Sequence, residues 1–496
     1  MTVHSISRRL GPDTLASVPA AVARPRYDRA GLDVGIVHMG LGAFHRAHQA
    51  IYTDDALNAV PGPWGICGVS LRSPDVRDAL APQAGLYAAA VRDEDGERLR
   101  VVGSVLQTLV APESPAAVLA RLADPRVRVV TATVTEKGYC HNPATGEIDD
   151  RNPDIRRDLA NPTQPRTLPG FLVEALRRRR AAGTPPFTVL SCDNLPTNGE
   201  VTARILRAYA ALLEPDLDHW IEDRVACPSS MVDRIVPATT ADDRARIAAA
   251  LGVEDAAPVV TEPFSQWVFE DRFPTGRPAW EAFGAEPVAD VRPYEAMKLR
   301  LLNASHSCIA YLGYLAGYQT VAETVADKAF ERFVAAMMDD EITPSLRMPA
   351  GTDLTGYKAA LLARFANPAL RHRTWQIAMD GSQKLPQRLL ETIRERLALG
   401  LPFDRLALGV AGWMRYVRGV DETGAPIDVR DPLAERLRRL AEDAGPVAGR
   451  LAPALLSVRE VFGDDLPENE AFVAAVTAAL DGLFDRGAWY CVERLG

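Results

Sequence analysis

The chain is poor in several things. Its 496 residues include only six cysteines and eight histidines, and aromatic residues make up 7%. Cys67, Cys140, Cys192, Cys227, Cys308 and Cys491 are scattered, with no Cys-x-x-Cys pair. That excludes a disulfide framework and fits reduced thiols in a cytosol. The histidines form no His-x-x-x-His pair and no finger spacing, so no protein-ligated metal is expected. No apolar stretch approaches the roughly 18 residues that span a bilayer. The longest, Ile309 to Tyr318, is interrupted by glycine and reads as a buried helix. Met1 to Pro25 carries no apolar run after a basic start, so no secretory signal is expected. Positive charge is not in excess either: the net charge is -9, which argues against nucleic-acid and membrane-surface partners. The one basic run, Arg177–Arg180, ends a helical stretch, where cations complement the helix dipole. A cytoplasmic protein is expected, with a monomer as the working assumption.

What is present is ordinary for a globular chain: 47% apolar and 24% charged residues. Short apolar runs alternate with helical patterns through the first half. Candidate strands are Val34–Met39, Ile66–Leu71, Val127–Val134, Phe187–Ser191 and Pro258–Thr261. Candidate helices between them are Ala43–Ala59, Pro115–Ala123, Gly170–Ala182, Gly199–Leu213 and Ala241–Leu251. This alternation predicts an α/β fold with a parallel sheet covered on both faces. Leu86–Val91 and Leu99–Val110 are spaced as an antiparallel hairpin inserted into that sheet. From about Pro293 the pattern is almost entirely helical, beginning with Tyr294–Gly317. The domain boundary is expected within Pro287–Pro293, giving a dinucleotide-binding domain at 1–290 and a mostly helical substrate domain at 291–496.

Val34–Met39 runs directly into Gly40-Leu41-Gly42-Ala43-Phe44-His45. A strand, a Gly-x-Gly turn and a helix start suit a dinucleotide. The first glycine allows the tight turn, the second lets backbone approach a pyrophosphate, and the helix start offers free amides. The third glycine of the usual fingerprint is replaced by His45. After the second strand stand Arg72 and then Asp75. A carboxylate there would hold a ribose diol and favour NAD, whereas an arginine suits a 2′-phosphate. The reading leans to NAD.

Lys298, Asn303 and His306 fall within about 140° of one helix face, counted at 100° per residue. A lysine on such an apolar surface is desolvated toward the range of a general base. Neutral amides can hold the charge that builds on a reacting oxygen. Asn303 is one such donor. Asn194, after the candidate strand Phe187–Ser191, is a second. Other readings stand beside these: a solvated lysine, an interior histidine, a helix cap at Asn194 or Asn198, and a plain Asp233–Arg234 ion pair.

Taken together, the residues resemble the polyol-specific long-chain dehydrogenases, the mannitol dehydrogenase family. The pattern Lys298, Asn303, His306 matches, as do Gly40–Gln49, Thr135–Tyr139, Cys192–Leu195, Met231–Pro237 and Glu262–Val268. The resemblance implies a Rossmann-type doubly wound sheet followed by a mostly helical domain. It implies zinc-independent, NAD-dependent dehydrogenation of a small sugar acid or polyol. It further implies Lys298 as general acid/base, Asn194 and Asn303 as the polarising pair, and His306, Asp233 and Lys384 at the substrate. Cofactor contacts are implied at Gly40, Leu41, Gly42, Ala43, Phe44, His45, Arg72, Thr135 and Glu136. Leu370–Arg388, Leu406–Tyr416 and Gly463–Asn469 are most similar to the fructuronate reductase (D-mannonate oxidoreductase) branch. A carboxylate substrate needs counter-charge, and Arg371 and Arg373 are candidates on charge and location. Two rival expectations remain: a mannitol or arabinitol dehydrogenase of the same family, and an NAD-binding sensor without turnover.

Overall fold

A computed structural model describes residues 8–93, 95–141 and 146–496. Of the N-terminal stretch read above, residues 1–7 lie outside the described residues. The chain divides into two compact units, 1–292 and 293–496.

The first unit is built on a five-stranded sheet: β1 Val34–Met39, β2 Gly65–Ser70, β3 Val105–Val110, β4 Val129–Ala132 and β5 Thr188–Ser191. Their order is β3-β2-β1-β4-β5, and every pairing is parallel. β1 switches the direction in which strands are added, which places a ligand crevice at its carboxyl end. Both faces of the sheet are covered, so the strands read as near-continuous apolar runs. Val37, Met39, Val69, Val130 and Val189 pack with Phe171, Leu172, Ile205 and Tyr209 on one side. Ile36, Ile66, Val129 and Leu190 pack with Ile51, Tyr52, Trp267 and Trp280 on the other. Each such side chain contributes about 1.5–3 kcal/mol when fully buried.

Two expectations fail here. The predicted strand Leu99–Val110 is two strands. Gly96–Val102 pairs antiparallel with Tyr87–Asp93, whereas β3 joins the main sheet. Gly103 and Ser104 make the break: the Gly103 N–H donates to Asp54 Oδ1 at 2.8 Å, and Ser104 Oγ donates to the Ala50 carbonyl at 2.7 Å. The run Pro258–Thr261 leaves the main sheet too. Its strand, Val259–Thr261, lies parallel to Tyr87–Asp93 in a separate three-stranded sheet. A third small sheet, of Ser230–Asp233, Gln266–Glu270 and Ala285–Val288, was not expected from the sequence.

The second unit is helical. Its centre is the helix Ala304–Leu315 packed against Asp404–Tyr416, which packs in turn on Glu470–Leu495. The first two approach closely at Gly409, where an added Cβ would lie 2.5 Å from Cys308 Sγ. The predicted continuous helix Tyr294–Gly317 is interrupted: Lys298–Asn303 is a π-helical turn. Two more π turns, Met337–Ile342 and Pro386–Leu390, pack against it. Such turns are rare and concentrate at functional sites.

Candidate active site

β1 ends at Met39, and Gly40 turns the chain with φ 97°. A Cβ there would lie 2.2 Å from the Thr133 carbonyl oxygen, so only glycine fits. At Gly42 an added Cβ meets nothing nearer than the Gly40 oxygen at 3.7 Å. The fold itself therefore leaves room at 42, as a backbone meant to approach a ligand requires. Both glycines line a cavity of about 1160 Å³, together with Leu41, Arg72, Ser73, Glu113, Thr135, Arg157, Arg166 and others. This volume exceeds what a small metabolite needs and suits a dinucleotide. Arg72, Arg157 and Arg166 are the cationic side chains of its lining.

Of the expected cofactor residues, Gly40, Leu41, Gly42, Arg72 and Thr135 line this cavity, whereas Ala43, Phe44, His45 and Glu136 do not. His45 stacks face to face on His38, with ring centroids 3.4 Å apart. The ring pair thus takes over the close strand–helix packing that the third glycine usually allows. Neighbouring Phe44 stacks on His48, and Glu136 is exposed. The helix from Ala43 stops at Ala47, and a new one begins at Gln49.

His38 was missed. Its Nε2 bonds the Gly40 carbonyl at 3.1 Å, and its Nδ1 lies 2.7 Å from Thr131 Oγ1. Since the carbonyl can only accept, Nε2 carries the proton and Nδ1 accepts from the threonine. Burial pushes the ring's pKa down to about 3, so it stays neutral and holds the glycine turn.

Asp193 was missed as well. It is buried between Cys192 and Asn194, and its carboxylate accepts the N–H of Val134 at 3.0 Å, the N–H of Thr135 at 2.8 Å and the Tyr139 hydroxyl at 2.8 Å. Burial still pushes its pKa up, against those donors. Thr135 is held at φ 65°, a conformation a β-branched residue rarely adopts. Asn198 completes the loop. It donates to the carbonyls of Asp193 and Ser230 and accepts the Ser230 N–H. Asn194 is thereby presented at the surface of a braced loop. Asp233 is buried at the end of Ser230–Asp233. Arg234 turns away to the carbonyls of Glu262 and Ala47, and burial pushes its pKa down to about 10.

In the second unit the π turn changes the geometry read from the sequence. In an α-helix, residues five apart are about 140° apart around the axis. In a π turn the hydrogen bond spans five residues, as from the Ala304 N–H to the Leu299 carbonyl. Lys298 and Asn303 therefore stack on one face instead of diverging. Lys298 is half-buried and Asn303 buried. Arg300, between them, clamps the turn with two 2.7 Å bonds to Glu395.

His306 follows on the next turn. It is buried against Phe365 and His372, at centroid distances of 4.8 and 5.4 Å, and its Nε2 has no hydrogen-bond partner among the described residues. Burial, then His372, Arg364 and Arg388, push its pKa well down. Lys384 bonds the carbonyls of Ile377 and Met379 and lowers the proton affinity of His372. Arg371 and Arg373 are exposed. Among the described residues, no group of His, Cys, Asp or Glu is placed to hold a metal ion.

Residues 34–282 match the mannitol dehydrogenase Rossmann domain, and 290–484 the mannitol dehydrogenase C-terminal domain. The chain is 51% identical to the uncharacterized oxidoreductase YeiQ of Escherichia coli K12, over 96% of this chain and 98% of that one. It is 48% identical to the D-mannonate oxidoreductase of the same organism, over 97% of this chain and all of the other. Its fold superposes on Pseudomonas fluorescens mannitol 2-dehydrogenase, solved as a ternary complex with NAD and D-mannitol. The TM-score is 0.87 and the identity 43%, over 98% of this chain and 99% of that chain. A glycine turn opening on a dinucleotide-sized cavity, a helical second unit and matches along nearly the whole sequence lead to one conclusion: the chain belongs to the mannitol dehydrogenase family and is an NAD-dependent oxidoreductase acting on a polyol or sugar acid.

Proposed function

We propose that the substrate pair is D-mannonate and D-fructuronate. The observation that carries this is the charge around His306. Beyond burial, the arginines Arg364 and Arg388 lower its proton affinity, and no acid figures among the causes. Such surroundings favour an anionic substrate over a neutral polyol. The near-full-length match to a D-mannonate oxidoreductase agrees.

Gly40, Leu41, Gly42, Arg72 and Thr135 would hold NAD, which accepts the carbinol hydride when bound. Lys298, as the neutral amine, takes the proton of the C5 hydroxyl during oxidation and returns it during reduction. Asn194 and Asn303 donate to the oxygen as its charge grows. His306, kept neutral, serves as a hydrogen-bonding group and not as a competing acid. Asp233 and Lys384 orient the remaining hydroxyls. The test is NADH-linked reduction of D-fructuronate against D-fructose. A higher kcat/KM for fructuronate is expected, and better use of fructose would defeat the proposal.

A further inference from the structure

The sugar-acid reading does not say which side chain receives the carboxylate. Arg371 and Arg373 are solvent-exposed. Arg388 is placed differently. It lies on the π turn Pro386–Leu390, which packs directly on the π turn carrying Lys298 and Asn303. Its Nη1 donates to the Asn303 carbonyl at 3.4 Å and to Ser307 Oγ at 3.2 Å. The guanidinium is thus anchored at the base of Asn303 and lies close enough to His306 to depress its proton affinity.

These two contacts use one nitrogen only. Among the described residues, Nε and Nη2 have no hydrogen-bond partner and no carboxylate pairs with the group. Burial depresses its pKa, and the one influence that opposes this is the Tyr311 hydroxyl. Two other arginines of this unit are more fully engaged. Arg300 forks onto Glu395, and Arg396 donates to the carbonyls of Pro402 and Glu341. Arg388 is half-buried, and a cation partly withdrawn from water without a counter-ion favours a ligand that supplies the anion.

We infer that Arg388 receives the carboxylate of the substrate and selects sugar acids over neutral polyols. This rests on the sugar-acid reading. A guanidinium with a free edge matches a carboxylate with two parallel hydrogen bonds, which an ammonium does not reproduce. Lys298 and Arg388 come from two adjoining turns, as suits a substrate whose carbinol and carboxylate are separated along one carbon chain. A phosphate ester would answer the same charge and is one arm of the test.

The experiment measures kcat and KM for NADH-linked reduction of D-fructuronate, D-fructose and D-fructose 6-phosphate by the wild-type chain, R388Q and R388K. R388Q is expected to raise KM for fructuronate by about 100-fold, with a smaller change in kcat. The fructuronate/fructose ratio of kcat/KM should fall with it. R388K should retain part of the preference, and NADH affinity should be the same in all three. Should R388Q fold poorly, restoration of fructuronate reduction in R388A by added guanidinium supports the assignment, and no restoration counts against it. A wild-type preference for fructuronate that survives in R388Q overturns the inference and leaves the sugar-acid reading intact. A wild-type preference for fructose overturns both. A preference for the 6-phosphate that disappears in R388Q reassigns the arginine to phosphate and overturns the carboxylate assignment.

Discussion

The Asp193 carboxylate accepts the Thr135 N–H at 2.8 Å and so joins two sequence blocks 58 residues apart. One block lines the nucleotide cavity, and the other presents Asn194. The aspartate is a brace: it holds Thr135 in an unfavourable backbone conformation at the cavity wall.

Replacing Asp193 with asparagine tests this brace. The amide keeps one acceptor but turns a donor toward Val134, Thr135 or Tyr139, each of which already donates. NADH affinity is expected to fall at least ~10-fold, with a loss of about 1–3 kcal/mol in stability. Titration calorimetry and denaturant unfolding read the two effects. Wild-type NADH affinity in D193N would remove the brace from the account.

Gly40→Ala places a methyl 2.2 Å from the Thr133 oxygen on a residue at φ 97°. Backbone cannot yield as a flexible side chain can. The variant should lose measurable NADH binding and about 2–4 kcal/mol of stability. Thermal unfolding with and without NADH checks both.

His38 makes a pH prediction. Its folded pKa of about 3 lies below the ordinary value of 6.5. The unfolded chain therefore binds more protons at mildly acid pH, and stability falls as pH drops through 6.5 toward the folded value. Between pH 7.5 and 5.5 the ring should cost the wild type about 1.4 kcal/mol. His38→Asn should lack that increment while losing support for the Gly40 carbonyl at every pH. Parallel unfolding curves for the two proteins at both pH values would contradict this.

Lys298→Ala removes the proposed base. Turnover should fall on the order of 10²–10⁴-fold with NADH binding nearly intact. Single-turnover rates beside NADH titration separate the two, and near-normal turnover would defeat the assignment.

Much of this was legible in the sequence because it rests on periodicity and glycine. The β1 run ending in Gly40 and Gly42 announces itself, as does the change to helical pattern beyond Pro293. β3 did not, because the apolar run continues through Gly103 and only the bonds from Gly103 and Ser104 divide it. The π turn was hidden by counting 100° per residue through Lys298–Asn303. The stacking of Lys298 and Asn303 on one face depends on a hydrogen-bond register that composition does not reveal. Arg371 and Arg373 drew attention as neighbouring cations, yet a left-handed turn at Arg371, φ 46°, leaves both exposed. Arg388 ends the stretch Leu370–Arg388, and only the packing of the two π turns singles it out. Asp193 was visible beside Asn194, but its partners lie in a distant block.

The central claim is that the chain reduces a keto sugar acid with Lys298 as its acid. The most direct measurement is the kcat/KM of the wild-type chain for D-fructuronate and D-fructose with NADH, repeated with K298A. The account predicts that fructuronate is the better substrate and that K298A loses reduction of both sugars. Equal or better use of fructose, or fructuronate reduction that persists in K298A, would contradict it.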